Sequence, residues 1–206
     1  TIKAGERATS FKIKGIYDNV AESDSLGVVL RLLTKGVDEW DAYGDANQEI
    51  KVLFKKVCPF DINAFTGYLT LQSTWFNDYM VGTDMRLLKS EVDPSAENTI
   101  IIRNLFYQGF DVKVRLDNEN PLTPNLFMDE HQLMGDTREA FGTVYGNGEL
   151  MMYQPTIYTS YYSTCEQFML LYFVPYVEGV GTVGTFVNIM KWISDEEAEY
   201  YKRLGY

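Results

Sequence analysis

Three patterns in the chain invite a chemical reading. The first is a literal G-x-G-x-x-G at Gly179, Gly181 and Gly184. A dinucleotide site of that form needs a helix N-terminus directly after the glycines to receive the pyrophosphate. The residues that follow are TFVNIMKWI, β-branched and aromatic, so the glycines read as a hairpin loop and no cofactor is expected. The second is His131 in MDEHQLMGD, the single histidine, with Asp129, Glu130 and Asp136 nearby. Zinc sites draw on several His or Cys ligands, so a solvated loop is the preferred reading. A Ser-His-Asp or Cys-His triad would depend on this one imidazole, and no G-x-S-x-G elbow accompanies it. The third is aromatic: Trp75 and Tyr79, then Tyr107, then Tyr158, Tyr161 and Tyr162 crowded in PTIYTSYYST. Aromatic faces stack on sugar rings and apolar ligands while their polar tips stay wet. Tyrosines in β-proteins also fill core edges and cross-strand pairs. Trp75, with Asn77 and Asp78 beside it, is the first choice for ligand contact.

Charge narrows the partners. Eighteen basic against twenty-nine acidic residues leave a net charge of −11, which repels phosphate backbones and anionic lipid surfaces. Nucleic acid is therefore not expected as a partner. No run of eighteen apolar residues occurs, so no spanning helix is expected. The first residues show no charged segment followed by an apolar one, and the start at Thr1 reads as a processed or trimmed end. Cys58 and Cys165 match neither a C-x-x-C redox pair nor a zinc pattern. They read as a bridge or as two buried thiols, the thiols being the commoner case.

The elements that would carry these residues are strands. In SFKIKGIY (residues 10–17) Phe11 and Ile13 alternate with polar residues, and SLGVVLRLL and EIKVLFKKV are two further strand candidates. Three strands with a bare face need another layer. Pro59 and the polar turn over residues 61–64 mark a boundary, dividing the chain into residues 1–57 and 58–206. Beyond it YLTLQSTWF, TDMRLLKS, NTIIIRNL, DVKVRL and TPNLFMD follow at the short regular spacing of an antiparallel sandwich or barrel. GTVYGNGELMMY carries Asn147-Gly148 between two strand-like runs, a hairpin signal. CEQFMLLYFVPYV has apolar residues at both parities and reads as a strand covered on both faces. Ser194-Asp195-Glu196-Glu197 is a capping box and Gly205 a C-terminal stop, predicting a short final helix that packs through Tyr201 and Leu204.

Two stretches resemble known modules. IKAGERATSFKIKGIYDNVAESDSLGVVLRL is similar to the second half of a Calx-β-type sandwich, in the step Ile2, Ala4, Gly5, Phe11 and the acidic turn Asp18, Glu22, Asp24. That resemblance implies earlier strands before Thr1 and, by the family's acidic loops, calcium ligation at Asp18, Glu22 and Asp24. Calcium takes six to eight oxygens, so a solvated acidic turn is the preferred reading of these three. Residues 58–206 resemble the lipocalin-like β-domains that follow Ig-like or Calx-β-like modules in surface lipoproteins of gut Bacteroidetes. The residues that carry it are CPFDINAFTGYLTL, VDPSAENTIIIRNLF and VKVRLDNENPLTP, in that order. Lipocalins usually place a tryptophan two residues after the first glycine of the opening strand; Leu69 stands there after Gly67.

The expectation is an all-β chain, a partial Ig/Calx-β-like sandwich followed by an antiparallel lipocalin-like β-barrel with a short C-terminal helix. Its expected role is a non-enzymatic cell-surface binding or adhesion module with a saccharide or surface protein as partner. On the resemblance it would sit outside the outer membrane, touching it only through a lipid absent from this chain. The alternatives are a glycan-processing hydrolase using an Asp/Glu pair, which needs two carboxylates roughly 5–10 Å apart, and a structural spacer.

Overall fold

A strand needs a hydrogen-bonding neighbour as well as a side-chain period, and the two halves of the chain meet that need differently. The computed structural model describes residues 10–20, 25–31 and 49–206. The chain divides into two compact units, Thr1–Val57 and Cys58–Tyr206. In the first, β1 (Ser25–Arg31) and β2 (Glu49–Lys55) pair antiparallel from Ser25↔Lys55 to Arg31↔Glu49. The predicted strand over residues 10–17 is not one: this segment is irregular and enters a 3-10 turn at Tyr17–Asn19. Its alternation breaks at Gly15, which packs against the Phe54 ring instead of joining a ladder. Among the described residues this unit therefore holds one strand pair. Asp18 lies in the 3-10 turn, and Glu22 and Asp24 lie outside the described residues.

The second unit contains β3 (Gly67–Ser73), β4 (Arg86–Val92), β5 (Thr99–Arg103), β6 (Val112–Asp117), β7 (Asn125–Phe127), β8 (Gln132–Asp136) and β9 (Glu149–Tyr153). It continues with β10 (Tyr161–Ser163), β11 (Phe168–Val177), β12 (Gly181–Thr182) and β13 (Phe186–Trp192). Its helices are α1 (Thr74–Tyr79), α2 (Thr137–Phe141) and α3 (Asp195–Arg203). Eight strands close an antiparallel barrel in the order β3-β4-β5-β6-β7-β10-β11-β13 and back to β3. The last residues of β11 run past the barrel and pair with β9 and β12, while β8 pairs with β9.

Closure is weakest where β7 and β10 meet, since each has three residues and Asn125↔Tyr161 is their one paired position. Two backbone bonds flank that pair, Leu126 N–H to Ser160 O at 3.2 Å and Tyr162 N–H to Pro124 O at 3.2 Å. Glutamine carboxamides supply what a longer strand would have supplied. Gln154 accepts from Met128 N–H at 2.7 Å and donates to Leu126 O at 3.0 Å. Gln132 brackets Lys113 in the same way, at 2.7 Å each. Each carboxamide presents an acceptor and a donor, which satisfy one backbone N–H and one backbone carbonyl that lack a ladder partner.

Inward positions fill the barrel. Leu69, Leu71, Ile102, Val112 and Val114 alternate with exposed or half-buried neighbours, and Ile100 is buried beside the buried Thr99; each of these apolar side chains contributes about 1.5–3 kcal/mol of burial. Trp192, paired with Leu69, packs edge-on against Phe65 and donates its indole N–H to Ser90 at 2.8 Å. Trp192 and Phe65, both buried, fill that end of the barrel. At the other end Trp75, Phe76, Phe106, Phe173 and Phe186 form an aromatic plug. Cys58 and Cys165 are joined, tying the segment ahead of β3 to the β10–β11 turn. The expectation of buried thiols fails because sequence separation says nothing about the fold bringing the two Cα atoms within 5.3 Å.

Several local expectations are revised. TWF does not continue β3: Ser73, the last residue of that strand, accepts the Trp75 N–H and caps α1. GTVY is a loop, and the strand paired with β9 is β8, with α2 intervening, although Gly148 does take the left-handed backbone (φ 90°) of a turn. Burial on both faces of β11 is confined to Phe173, Val174 and Pro175, where the ladder passes to β9; elsewhere the strand alternates. The capping box forms on Ser194 and Glu197, but Ala198 is the buried residue of α3 and Leu204 is exposed. The helix of nine residues docks through Ala198, with the half-buried Tyr201 one turn further on the same face.

Candidate functional site

The aromatic residues separate into two groups once the strands are in register. Trp75 is 0 % exposed. It stacks on Tyr79 at 4.1 Å, meets Phe186 edge-on at 5.0 Å, and donates its indole N–H to the Tyr107 hydroxyl at 3.3 Å. Tyr107 is itself buried against Gly135, where a Cβ would lie 2.4 Å from the ring. Burial pushes the Tyr107 phenol up, and the Trp75 N–H pulls it partly back. Tyr162 is buried, donates to Asp117 O at 3.1 Å, and is pushed up to about 12 by burial, with the Asp117 charge adding to it. Trp75, Tyr107 and Tyr162 are therefore core residues, and Trp75 is withdrawn from solvent stacking. The physical reason is the Ser73 cap, which turns the chain into a helix and rotates Trp75 and Phe76 inward.

Tyr158 and Tyr161 lie outside, 45 % and 43 % exposed. Tyr158, in the β9–β10 connection, stacks on Tyr172 of β11 at 4.9 Å with 21° between the rings. Tyr172 is held from two sides: its N–H donates to the buried Ser160 hydroxyl at 3.0 Å, and it pairs with Val187 of β13. Val187 in turn donates its N–H to Thr74 Oγ1 at 2.9 Å, fixing the start of α1 beside the pair. The exposed side of α1 then presents Asn77 and Asp78. Together with Thr185, Phe186 and Val187 these residues enclose an open recess of about 390 Å³. It offers an aromatic platform, two hydroxyls, a carboxamide and one carboxylate. Apolar walls with a few polar anchors are the usual composition of a small-molecule site.

Thus Asn77 and Asp78, neighbours of Trp75 in sequence, do face an aromatic platform, but the rings are Tyr158 and Tyr172. Tyr79 is half-buried behind Trp75 and does not line the recess. Tyr172 escapes sequence reasoning because it stands inside a long apolar run. Its one signal is parity: in FMLLYFVPYV it shares the half-buried phase with Phe168 and Leu170.

A larger trough of about 600 Å³ lies over the outer face of β5, β6 and β7. Its cations are already satisfied. Arg103 pairs with Glu91 and Asp111, Lys113 with Asp93 at 2.6 Å, and Arg115 with both oxygens of Asp129 at 2.6 and 2.8 Å. Lys113, then the Ser95 hydroxyl and N–H, hold the Asp93 carboxyl down at about 2. Paired charges on an exposed sheet face make this trough a cross-strand ion ladder.

The other sequence motifs fall elsewhere. His131 is exposed, its Nδ1 is 2.7 Å from the Tyr176 hydroxyl, and its ring stacks on Tyr153 at 5.2 Å. Among the described residues no group of three or more His, Cys, Asp or Glu could hold a metal ion. Gly179, Gly181 and Gly184 all take positive φ in the connection from β11 through β12 to β13, so a strand and not a helix follows them. Among the described residues no helix is long and apolar enough to cross a membrane.

In comparisons with known proteins, the family described as Domain of unknown function (DUF4984) matches residues 43–204. No curated protein matches the chain.

Proposed function

The chain belongs to the DUF4984 family, and within that family we propose that it is a non-enzymatic binding module that holds a neutral saccharide against the Tyr158–Tyr172 pair. The observation that carries this reading is the stacked, solvent-facing pair with Asn77, Asp78, Thr74 and Thr185 around it. A sugar presents a C–H face that packs on an aromatic ring and a rim of hydroxyls that need donors and acceptors. The recess supplies both. Binding is favoured over hydrolysis because Asp78 is the one carboxylate among the described residues lining it, whereas paired-carboxylate chemistry needs two.

The Cys58–Cys165 bond supports a location outside the reducing cytosol. With the lipoprotein resemblance, that favours a cell-surface module anchored by a lipid carried elsewhere in its polypeptide. Mutating a lipobox in the full-length gene should then release the protein from the membrane fraction; unchanged localisation rejects the anchor.

Binding is tested on a neutral-glycan microarray followed by calorimetry with Tyr158→Ala and Asp78→Asn. Both variants should bind at least about tenfold more weakly while keeping stability within about 0.5 kcal/mol, as surface substitutions do. A blank array with the wild-type chain, or unchanged affinity in Tyr158→Ala, rejects the saccharide reading and favours a spacer.

A further inference from the structure

The recess does not stop at the tyrosine pair. One row of outward side chains crosses five adjacent strands: Asn125 on β7, Tyr161 on β10, Leu170 on β11, Ile189 on β13 and Gln72 on β3. Leu170 and Tyr172 are two residues apart on β11 and so share a face, placing this row directly beside the recess. Tyr161 and Ile189 are exposed, and the Tyr161 ring leans on Phe168 at 6.0 Å. From general strand spacing and rise, the Tyr161 and Tyr172 backbones are roughly 8 Å apart, a gap that a short oligosaccharide spans.

We propose that the saccharide is a neutral oligosaccharide, with one unit on the Tyr158–Tyr172 pair and a later unit on Tyr161. This rests on the binding reading given above and names the ligand's length and charge. The charge argument is direct. The row holds no ionisable carboxylate or amine, and its two ends are the carboxamides of Asn125 and Gln72. Aromatic and aliphatic side chains lie between them. An uncharged polyol meets such a strip without needing a counter-charge; the ionisable groups beside it are Asp78 in the recess and the exposed Lys191, two residues beyond Ile189 on β13, one of each sign and neither within the row. A second copy of this chain is the competing occupant, since exposed apolar surface also serves self-association.

The test uses the full chain and cello-, malto-, manno- and xylo-oligosaccharides of increasing length, measured by calorimetry. For at least one series, wild-type affinity should rise about tenfold from disaccharide to tetrasaccharide, the scale of one added aromatic contact. Tyr161→Ala should erase that rise and leave disaccharide affinity unchanged. Tyr161→Phe, which keeps the ring, should retain it. Tyr158→Ala should weaken binding at every length. Disaccharide binding with no length dependence overturns the second subsite and leaves the recess reading standing; no binding at any length overturns both. A concentration-dependent dimer in sedimentation that Tyr161→Ala dissolves, with no length dependence, assigns the strip to self-association and overturns the proposal.

Discussion

Trp75→Ala is the sharpest test of the barrel's aromatic plug. The ring is fully buried, stacked on Tyr79 and in edge contact with Phe106, Phe141 and Phe186. Truncating a core tryptophan costs about 3–5 kcal/mol through lost burial and the cavity left behind. Removing the indole N–H also strands the buried Tyr107 hydroxyl, a further cost of about 1–3 kcal/mol if nothing replaces it. The two effects share neighbours and do not add fully, so we expect a loss of about 4 kcal/mol or more. Against a total stability of about 5–15 kcal/mol, that is a large fraction. In a domain of this size it corresponds to a fall in Tm of about 8–16 °C. Guanidinium denaturation followed by near-UV circular dichroism reads it directly, and a cycle with Tyr107→Phe isolates the hydrogen bond. A loss below about 1.5 kcal/mol, well under the core-tryptophan range, refutes the plug. So does saccharide binding abolished at full stability, which would place the ring in the ligand's path.

Three further outcomes follow from the same structure. Replacing both Cys58 and Cys165 by serine frees a crosslink between residues 107 apart and should cost about 2–5 kcal/mol; a wild-type denaturation midpoint would show that the bond is dispensable. Gly135→Ala places a Cβ 2.4 Å from the Tyr107 ring and should destabilise by about 1–3 kcal/mol through overpacking, whereas an unchanged Tm would show that the ring moves aside freely. Asp93 has its folded-state value depressed from 3.8 to about 2 by Lys113 first and Ser95 next. Its stabilising contribution is therefore complete above the unfolded value and is lost as pH falls from about 4 toward 2. Lys113→Ala should raise that carboxyl and shift the acid limb of Tm upward in pH, and an unmoved limb rejects the pairing.

Part of the fold is legible in local sequence. Period-two alternation in VKVRLD marks the two faces of β6 because strand geometry alone sends successive side chains to opposite sides, whereas the three successive isoleucines of β5 do not say which face is inward. The capping box at Ser194 and Glu197 is equally local, since cap and partner are three residues apart. Antiparallel all-β character and the final helix follow from such short-range signals. The site does not. Tyr158 meets Tyr172, and Thr74 meets Val187, through ladders that join residues far apart in the chain. Proximity to Asn77 and Asp78 suggests a surface role for Trp75, but the cap on Ser73 turns the ring inward. The joining of Cys58 to Cys165 likewise depends on barrel closure. Side-chain period and caps act within a few residues and are written in local sequence; register, closure and the company a side chain keeps depend on which strands pair, and only the tertiary structure decides that.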